Sequence, residues 1–399
     1  MFRIFNANTK SLGIPINTMK RLLVTIMLIF TCLLAVPQQL VRQVEVPTGL
    51  YAFSFQEDKA GSVWVGLSNG DVSGALGIYS NSNLTIISGA DSIPSGSYHS
   101  SIKLTDGSII FGGSVLDKSG RMTLALISQM GVDTLRIPFR LFDPFINCMS
   151  VVNRREIWIG TASGLIKNNR GVWSKTTTFD GLPSNVVTSI LQDFRAITWI
   201  ATEGGIVWFS EGVLYVPDTG TRIIRSATSL FSDSKGYVWA GSRYGADGVS
   251  VYNGQLWDTF SGRHGLIDNS TSTFHQGEKG KLWVGSCSQR NRGGVSLFNG
   301  TNWETFDYPG YLAKPCVEAI VSDLNGNVWF GGSLSSGRAK GITIFNGKDW
   351  LKVSNTKLLP AERVIAFFVD SKERIWVSSF EGLFIIEPTN ECIKKLTEF

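Results

Sequence analysis

The sequence predicts an all-β fold in which eight four-stranded blades close into a ring, a β-propeller. Three observations predict it. Short runs such as VWVG, IWIG and LWVG place Trp64, Trp158, Trp199, Trp239, Trp283, Trp329 and Trp376 in one recurring phrase, and Phe111 in IIFGG fills the remaining beat. Their spacings are 47, 47, 41, 40, 44, 46 and 47 residues, the period of a propeller blade. The composition, with 43 glycines, 12 tryptophans and only 17% charged residues, suits many short strands joined by tight turns. A length of 399 residues would by itself suit two or three ordinary domains. The repeat overrides that reading, because single repeats cannot bury their faces alone.

The chain begins with a leader. Lys20 and Arg21 precede an apolar run from Leu22 to Val36. That run fits a secretory core and falls short of the ~20 residues that span a bilayer. Met19 directly precedes the two charges, so MKRLLVTIMLIFTCLLA reads as a complete signal peptide started at Met19 and cleaved near Ala35. An uncleaved N-terminal anchor is the alternative. Cys32 would suit a lipoprotein, but Ile29, Phe30 and Thr31 offer no small residue just before it. Residues 1–36 are therefore assigned to the leader, 37–49 to a linker or latch strand, and 50–399 to the propeller. No second apolar run follows, and an extracytoplasmic location, periplasmic or secreted, is expected. The leader holds four of the 37 Lys/Arg and none of the 32 Asp/Glu, so the remainder is formally +1. That balance argues against nucleic acid as a partner.

The clearest blade runs from about residue 317 to 354. VEAIVSD is its first strand, LNGN a turn, VWFGG the second strand, GITIFNG the third and DWLKVS the fourth. Alternating apolar residues and Gly/Asn turns make this an antiparallel meander. The same order recurs as STSTFHQ–LWVGS–GVSLFNG–NWETFD before it, and as VIAFFVD–IWVSS–GLFIIE–CIKKLTEF after it. Eight units in register with the chain are expected, from YAFSFQED as the first inner strand to CIKKLTEF as the last outer one. A seven-bladed ring with an irregular extra unit is the alternative. LVRQVEV (40–46) is an orphan strand able to pair with the last blade and latch the ring.

Particular positions recur too. Asp58, Asp193, Asp233, Asp323 and Asp370 stand six residues before their anchors, and Gly61, Gly236, Gly280 and Gly326 three before. An Asp bonding its own turn, followed by a Gly free to take positive φ, makes a tight hairpin. These Asp lack the clustered oxygen donors of a calcium loop, and no metal or cofactor is expected. Two residues after the anchor stands Gly66, Gly113, Gly160, Gly241, Gly285 or Gly331, with Ala201 and Ser378 as departures. A small residue there lets neighbouring sheets approach. The anchor rings are read as packing between blades rather than as a carbohydrate-stacking array, since identical placement in every unit is what a structural repeat requires.

These residues resemble the two-component regulator propeller repeat. IWIGTASGLIKNN (157–169) and FDGLPSNVVTSILQDFRAITWIATEGGI (179–206) look very like its consensus, GLPSN (181–185) most of all, and HGLIDNS (264–270) is a looser echo. The resemblance is strong over about 150–390 and weaker in the first two units. In that family such repeats form the periplasmic sensor part of hybrid histidine kinases. No kinase or receiver segment occurs in this sequence, so the resemblance implies a propeller with a sensing or binding role and does not carry over signalling.

In propellers the loop between second and third strands shares a face with the blade-to-blade connections, and loops on rigid scaffolds hold function. Blades 3, 4 and 8 have minimal loops there: TASGL, ATEGGI and SFEGL. Blades 1 and 2 have long ones, SNGDVSGAL and SVLDKSGRM, and blades 5, 6 and 7 have SRYGADGV, SCSQRNRGGV and SLSSGRAKGI. Their Arg243, Tyr244, Arg290, Asn291, Arg292, Arg338 and Lys340 are the candidate ligand-binding residues. Guanidinium forks suit carboxylates, sulfates or phosphates, or a glycan bearing them; the alternative is ordinary solvated surface. Cys287 and Cys316 end and open strands of adjacent blades and form a candidate disulfide in an oxidising compartment. Cys148 and Cys392 read as buried thiols. His99, His264 and His275 are scattered over different units, and no nucleophile motif, zinc spacing or phosphate loop occurs. Only His264, in a blade-to-blade connection, is a candidate site residue among them. Glu203 and Glu381 read as loop residues. The expected function is a non-enzymatic binding or scaffold propeller for a glycan, an anionic small molecule or a protein. A detached sensor module working with a membrane sensor kinase is a variant of it, and a polysaccharide lyase or hydrolase is the alternative.

Overall fold

The computed structural model describes residues 40–398, apart from 71–72, 88–92, 95, 118, 218–222, 243–246, 288–292 and 333–340. The leader assigned to 1–36 lies outside the described residues. Eight four-stranded antiparallel sheets follow one another around a ring. Their inner strands are Tyr51–Glu57, Gly96–Lys103, Ile146–Val152, Val187–Gln192, Ser229–Ser232, Thr271–Gln276, Val317–Ser322 and Val364–Val369. Each inner strand touches the next, and the last touches the first. The eight-bladed reading holds, and the seven-bladed alternative does not.

The last blade corrects the expected register. Its outer strand is not CIKKLTEF but β1 (Val41–Val44), which pairs antiparallel with Gly382–Ile386, Val41 opposite Ile386 and Val44 opposite Leu383. The orphan strand is thus the latch. Residues Asn390–Thr397 form the helix α1. The physical reason lies in their spacing. Cys392, Ile393 and Leu396 fall on one helical face and are buried, and Thr389 caps the helix by accepting the Cys392 N–H at 3.1 Å. The carbonyl of Leu396 then takes the N–H groups of Ser354 and Asn355 just beyond blade 7's outer strand.

The second strands carry the core. Val63–Ser68 and Val328–Gly332 are buried at every residue, because neighbouring blades cover both of their faces. Trp199, Trp239, Trp329 and Trp376 are at most 1% exposed. The rings meet across the seams. Trp376 stands edge-on to Tyr79 of blade 1, Trp283 to Phe330 and Trp350 of blade 7, and Trp239 to Phe298 and Trp303 of blade 6. Close approach follows the small residue after the anchor. A Cβ on Gly331 would lie 2.5 Å from Val364 Cγ1 of blade 8. Where blade 8 has Ser378 instead, its hydroxyl donates to Ala52 O of blade 1 at 2.6 Å and so bonds across the closing seam.

The recurring Asp does more than make a turn. In blade 7 one carboxylate oxygen of Asp323 accepts the N–H groups of Asn325 and Asn327, and the other accepts the indole N–H of Trp329 at 2.9 Å. Asp58, Asp193, Asp233 and Asp370 take the indole N–H of Trp64, Trp199, Trp239 and Trp376 in the same way. Blade 2 corrects the expected anchor: Gly112 faces Ser100 beside the bulge as Gly331 faces Ala319 in blade 7, so Ile110 stands where the other blades have Trp, Phe111 matches Phe330 and lies with Trp64 in the seam to blade 1, and Leu104 holds the Asp position. In blade 3 Trp158 donates instead to Glu156. The turn glycines Gly61, Gly236, Gly280 and Gly326 all take positive φ, and Ala196 and Glu373 hold that conformation in blades 4 and 8.

One lysine lies inside a seam. Lys167, on blade 3's third strand, places its ammonium 4.4 Å from the Trp158 ring centre and 3.5 Å from that of Phe209 in blade 4. Burial pushes its pKa down to about 8, against the pull of Glu156 and Asp180. A base whose folded pKa is lowered binds fewer protons folded than unfolded, so its penalty fades as pH rises from about 8 toward the unfolded ~10.4. In urea melts, wild type should gain on Lys167→Met by about 1–2 kcal/mol between pH 7 and pH 10.5, a figure discounted for partial exposure and for ring attraction. A difference that stays flat with pH would refute this.

Candidate functional site

The upper face carries the connections between blades and the loops joining second to third strands. Arg243, Tyr244, Arg290, Asn291, Arg292, Arg338 and Lys340 lie outside the described residues. The strand ends that hold their loops are described: Gly241 and Val249, Ser286 and Gly294, Gly332 and Ile342. All open on this face, in three consecutive blades.

Two connections set the rule that the third departs from. In Thr177–Val186, the Asn185 side chain accepts the Thr178 N–H at 2.9 Å, Ser184 Oγ accepts the Val186 N–H at 3.1 Å, and Leu182 is buried. In Ser261–Ser270, Asn269 accepts the Gly262 N–H at 2.7 Å, Asp268 accepts the Ser270 N–H at 2.7 Å, and Leu266 is buried. This is the construction behind GLPSN and its echo. The connection into blade 7 keeps the buried leucine, Leu312, but puts Lys314 at the Ser184/Asp268 position and Pro315 at the Asn position. Neither side chain can accept a hydrogen bond, so both caps are gone.

Inner strands depart next. Seven of them carry a β-bulge near their upper end, at Phe53, His99, Asn147, Thr188, Ser272, Glu318 and Ile365. Asn147, Thr188 and Ser272 use the extra residue to donate to the inner strand, or the residue leading into it, of the next blade, at Val187 O, Ala227 O and Val317 O. Blade 7 has Glu318 there, the one acidic residue of the set.

Cys287 and Cys316 are joined by a disulfide, with their Cα atoms 4.1 Å apart. It ties the end of blade 6's second strand to the start of blade 7's inner strand. A Glu318 carboxylate oxygen lies within 4.8 Å of both sulfurs. With the sulfurs bonded to one another, this trio offers no thiolate pair to a metal. Cys148 and Cys392 stand outside any disulfide, and burial pushes both thiols up to about 12, which makes them poor nucleophiles.

The remaining candidates have structural occupations. His264 Nδ1 accepts the Ser261 N–H at 3.0 Å and closes a single helical turn. His99 Nε2 meets Ser68 Oγ at 2.9 Å, with Phe53 and Phe145 against its ring. His275 Nε2 meets Ser322 Oγ of blade 7 at 2.7 Å. Burial lowers the pKa of both His99 and His275. Glu381 accepts the N–H groups of Glu362 and Arg363 at 2.9 and 3.0 Å and so fastens the connection into blade 8. Glu203 is exposed.

Lys314 and Glu318 were not singled out from the sequence. The signal was available: aligning GLPSN and GLIDN with YLAKP shows a lysine where Ser and Asp stand.

No family model matches the chain, and no curated protein matches it. Solved structures do. The extracellular domain of the hybrid two-component system protein BT3049 from B. thetaiotaomicron is 19% identical, with a TM-score of 0.50 over 85% of this chain and 51% of that one. This chain thus spans about half the length of that neighbour. YCF48 bound to D1 peptide is 12% identical, TM-score 0.55, over 89% of this chain and 99% of that one. A catalytically inactive virginiamycin B lyase from Staphylococcus aureus, with quinupristin, is 13% identical, TM-score 0.50, over 75% and 96%. At these identities the likeness is one of fold. No helix among the described residues is long and apolar enough to cross a membrane.

Proposed function

We propose that this protein is an extracytoplasmic binding propeller that takes a glycan, an anionic small molecule or a protein on the upper face of blades 5 to 7. One observation carries the reading. Blades 5 to 7 bring together, on consecutive strand ends of one face, three lengthened basic loops, the uncapped connection with Lys314, the Glu318 bulge and the disulfide. The disulfide fits an oxidising compartment, in keeping with the leader. The proposed role is binding rather than catalysis, and His99, His264 and His275 each hold a turn or a seam. A detached sensor working with a membrane kinase is a variant of this role.

The test is a thermal-shift screen of the full chain against glycans, acidic sugars and small anions, because a ligand raises apparent stability by mass action. With a hit in hand, Arg243, Arg290 and Arg338 are changed together to Ala. Loss of charge-assisted bonds at ~1.5–3 kcal/mol each predicts at least a ten- to hundred-fold weaker affinity. Unliganded melting should hardly move, because substitutions away from a core or a buried network change stability little. Unchanged affinity in the triple variant would refute the basic sector.

A further inference from the structure

The seam between blades 1 and 2 is closed differently from its counterparts. In three seams the anchor ring of one blade is roofed by two aromatic residues of the next, one on its third strand and one opposite it on its fourth. Trp199 has Tyr252 and Trp257, Trp239 has Phe298 and Trp303, and Trp283 has Phe345 and Trp350. The corresponding pair in blade 2 is Ile127 and Val132. Ile127 lies opposite Ile109 and Val132 as Phe298 lies opposite Leu282 and Trp303. Among the described residues Trp64 of blade 1 is therefore left without a ring contact, and at 6% it is the most exposed of the anchor tryptophans. Trp329 has no such ring either, but it is 0% exposed.

The missing rings leave a cavity. About 410 Å³ opens between the two blades on the lower face, with Trp64, Ile109 and Ile127 buried at its floor and Lys59, Asp106 and Gln129 exposed at its rim. The same position between blades 5 and 6, lined by Trp239, Leu282 and Phe298, holds about 200 Å³. Small-molecule sites run from ~300 Å³ upward and are mostly apolar with a few polar groups, so the first cavity is large enough and the second is not. The anchors themselves are held alike, Trp64 Nε1 donating to Asp58 at 3.0 Å and Trp239 Nε1 to Asp233 at 2.9 Å. The extra space is thus made by the aliphatic pair of the next blade. At the mouth, the Lys59 stem crosses the seam over Gly107, and its ammonium donates to the Asp106 carbonyl, which ties the two hairpins together.

We infer that this slot is a second binding site and takes a small planar aromatic molecule, whose ring occupies the place that Phe298 and Trp303 fill between blades 5 and 6. That seam shows what the geometry accepts. Its two ring centres lie 5.4 and 6.2 Å from the Trp239 ring at 63° and 88°, the edge-on arrangement that aromatic pairs favour. The Trp64 N–H is already bonded, so the slot recognises the ring by its edges and faces, while Lys59 and Gln129 stand at the rim beside any polar substituent. A sugar ring would set its hydroxyls against Ile109 and Ile127 without partners. The site shares no residue with the upper-face sector and does not depend on it.

The experiment titrates the full chain, with its tryptophans ¹⁵N-labelled, with indole and separately with glucose, and follows the indole N–H resonances. Indole should shift the Trp64 resonance saturably and leave that of Trp239 in place, and glucose should move neither. The variant Ile127→Phe/Val132→Trp supplies the missing rings. It should weaken indole binding at least ten-fold and melt no lower than wild type, since filling a cavity commonly stabilises. If that variant does not fold, the Trp64 resonance of the wild type decides alone. A Trp64 resonance indifferent to indole, equal shifts at Trp64 and Trp239, an equal response to glucose, or a double variant that binds indole as wild type does overturns the inference.

Discussion

Replacing Asp323 with Ala is expected to cost about 4 kcal/mol, enough to unfold a marginal protein at physiological temperature. The carboxylate is 6% exposed and accepts from Asn325 N, Asn327 N, Asn327 Nδ2 and Trp329 Nε1. Alanine removes the acceptor and leaves buried donors unmatched, which costs more than the bonds themselves contribute. The matched control is Asp106→Ala in blade 2. The exposed Asp106 side chain accepts the Ser108 N–H and has no indole to hold, because Ile110 stands at the anchor position there. Its loss should stay within about 1 kcal/mol. Urea melts of the two variants compare them directly. Similar losses would mean that the indole bond adds nothing beyond the turn.

Val44→Asp should be nearly as damaging, at about 3–5 kcal/mol. Val44 is 5% exposed and packs with Ala52, Phe55, Val63, Trp376 and Leu383, which belong to blades 1 and 8. A carboxylate there has no partner and sits in the seam where the ring closes. Neighbouring Glu45 is exposed, and Glu45→Lys should change stability by no more than about 0.5 kcal/mol. Tryptophan fluorescence in urea follows both variants. If Val44→Asp melts with Glu45→Lys, β1 rests on the ring without holding it.

The blade count and the strand order were legible because each blade repeats one solution, and a repeated solution leaves a period in the chain. Trp64 and its counterparts marked the second strands, and the Asp–Gly pair marked the hairpins before them. The indole-to-carboxylate bond was present as a six-residue spacing but was read only as turn chemistry, since a contact between two side chains leaves no periodicity of its own. The C-terminal segment was misread for the opposite reason. The expectation of a fourth strand was imposed on CIKKLTEF, although Thr389 and the spacing of Cys392, Ile393 and Leu396 describe a capped helix. The candidate site is a proposal drawn from loop length and charge in blades 5 to 7, on residues outside those described. Lys314 escaped notice because its meaning lies in what stands at the same position in other blades. The inner-strand bulges leave no compositional trace, being made by Phe, His, Asn, Thr, Ser, Glu and Ile alike.

The shared last blade also orders the protein's assembly in time. β1 is among the first parts of the ring to be synthesised and Gly382–Ile386 among the last, and Ser378 bonds Ala52 across 326 residues of chain. Until blade 8 exists, the growing chain is an open arc whose first blade presents an uncovered face and whose first strand has no sheet to join. Such edges recruit other chains. Closing so long a loop is also slow, because its entropy must be spent before the native contacts form. Nascent molecules should therefore depend on chaperones until blade 8 emerges, and truncations that remove blade 8 should aggregate rather than yield a stable seven-bladed ring.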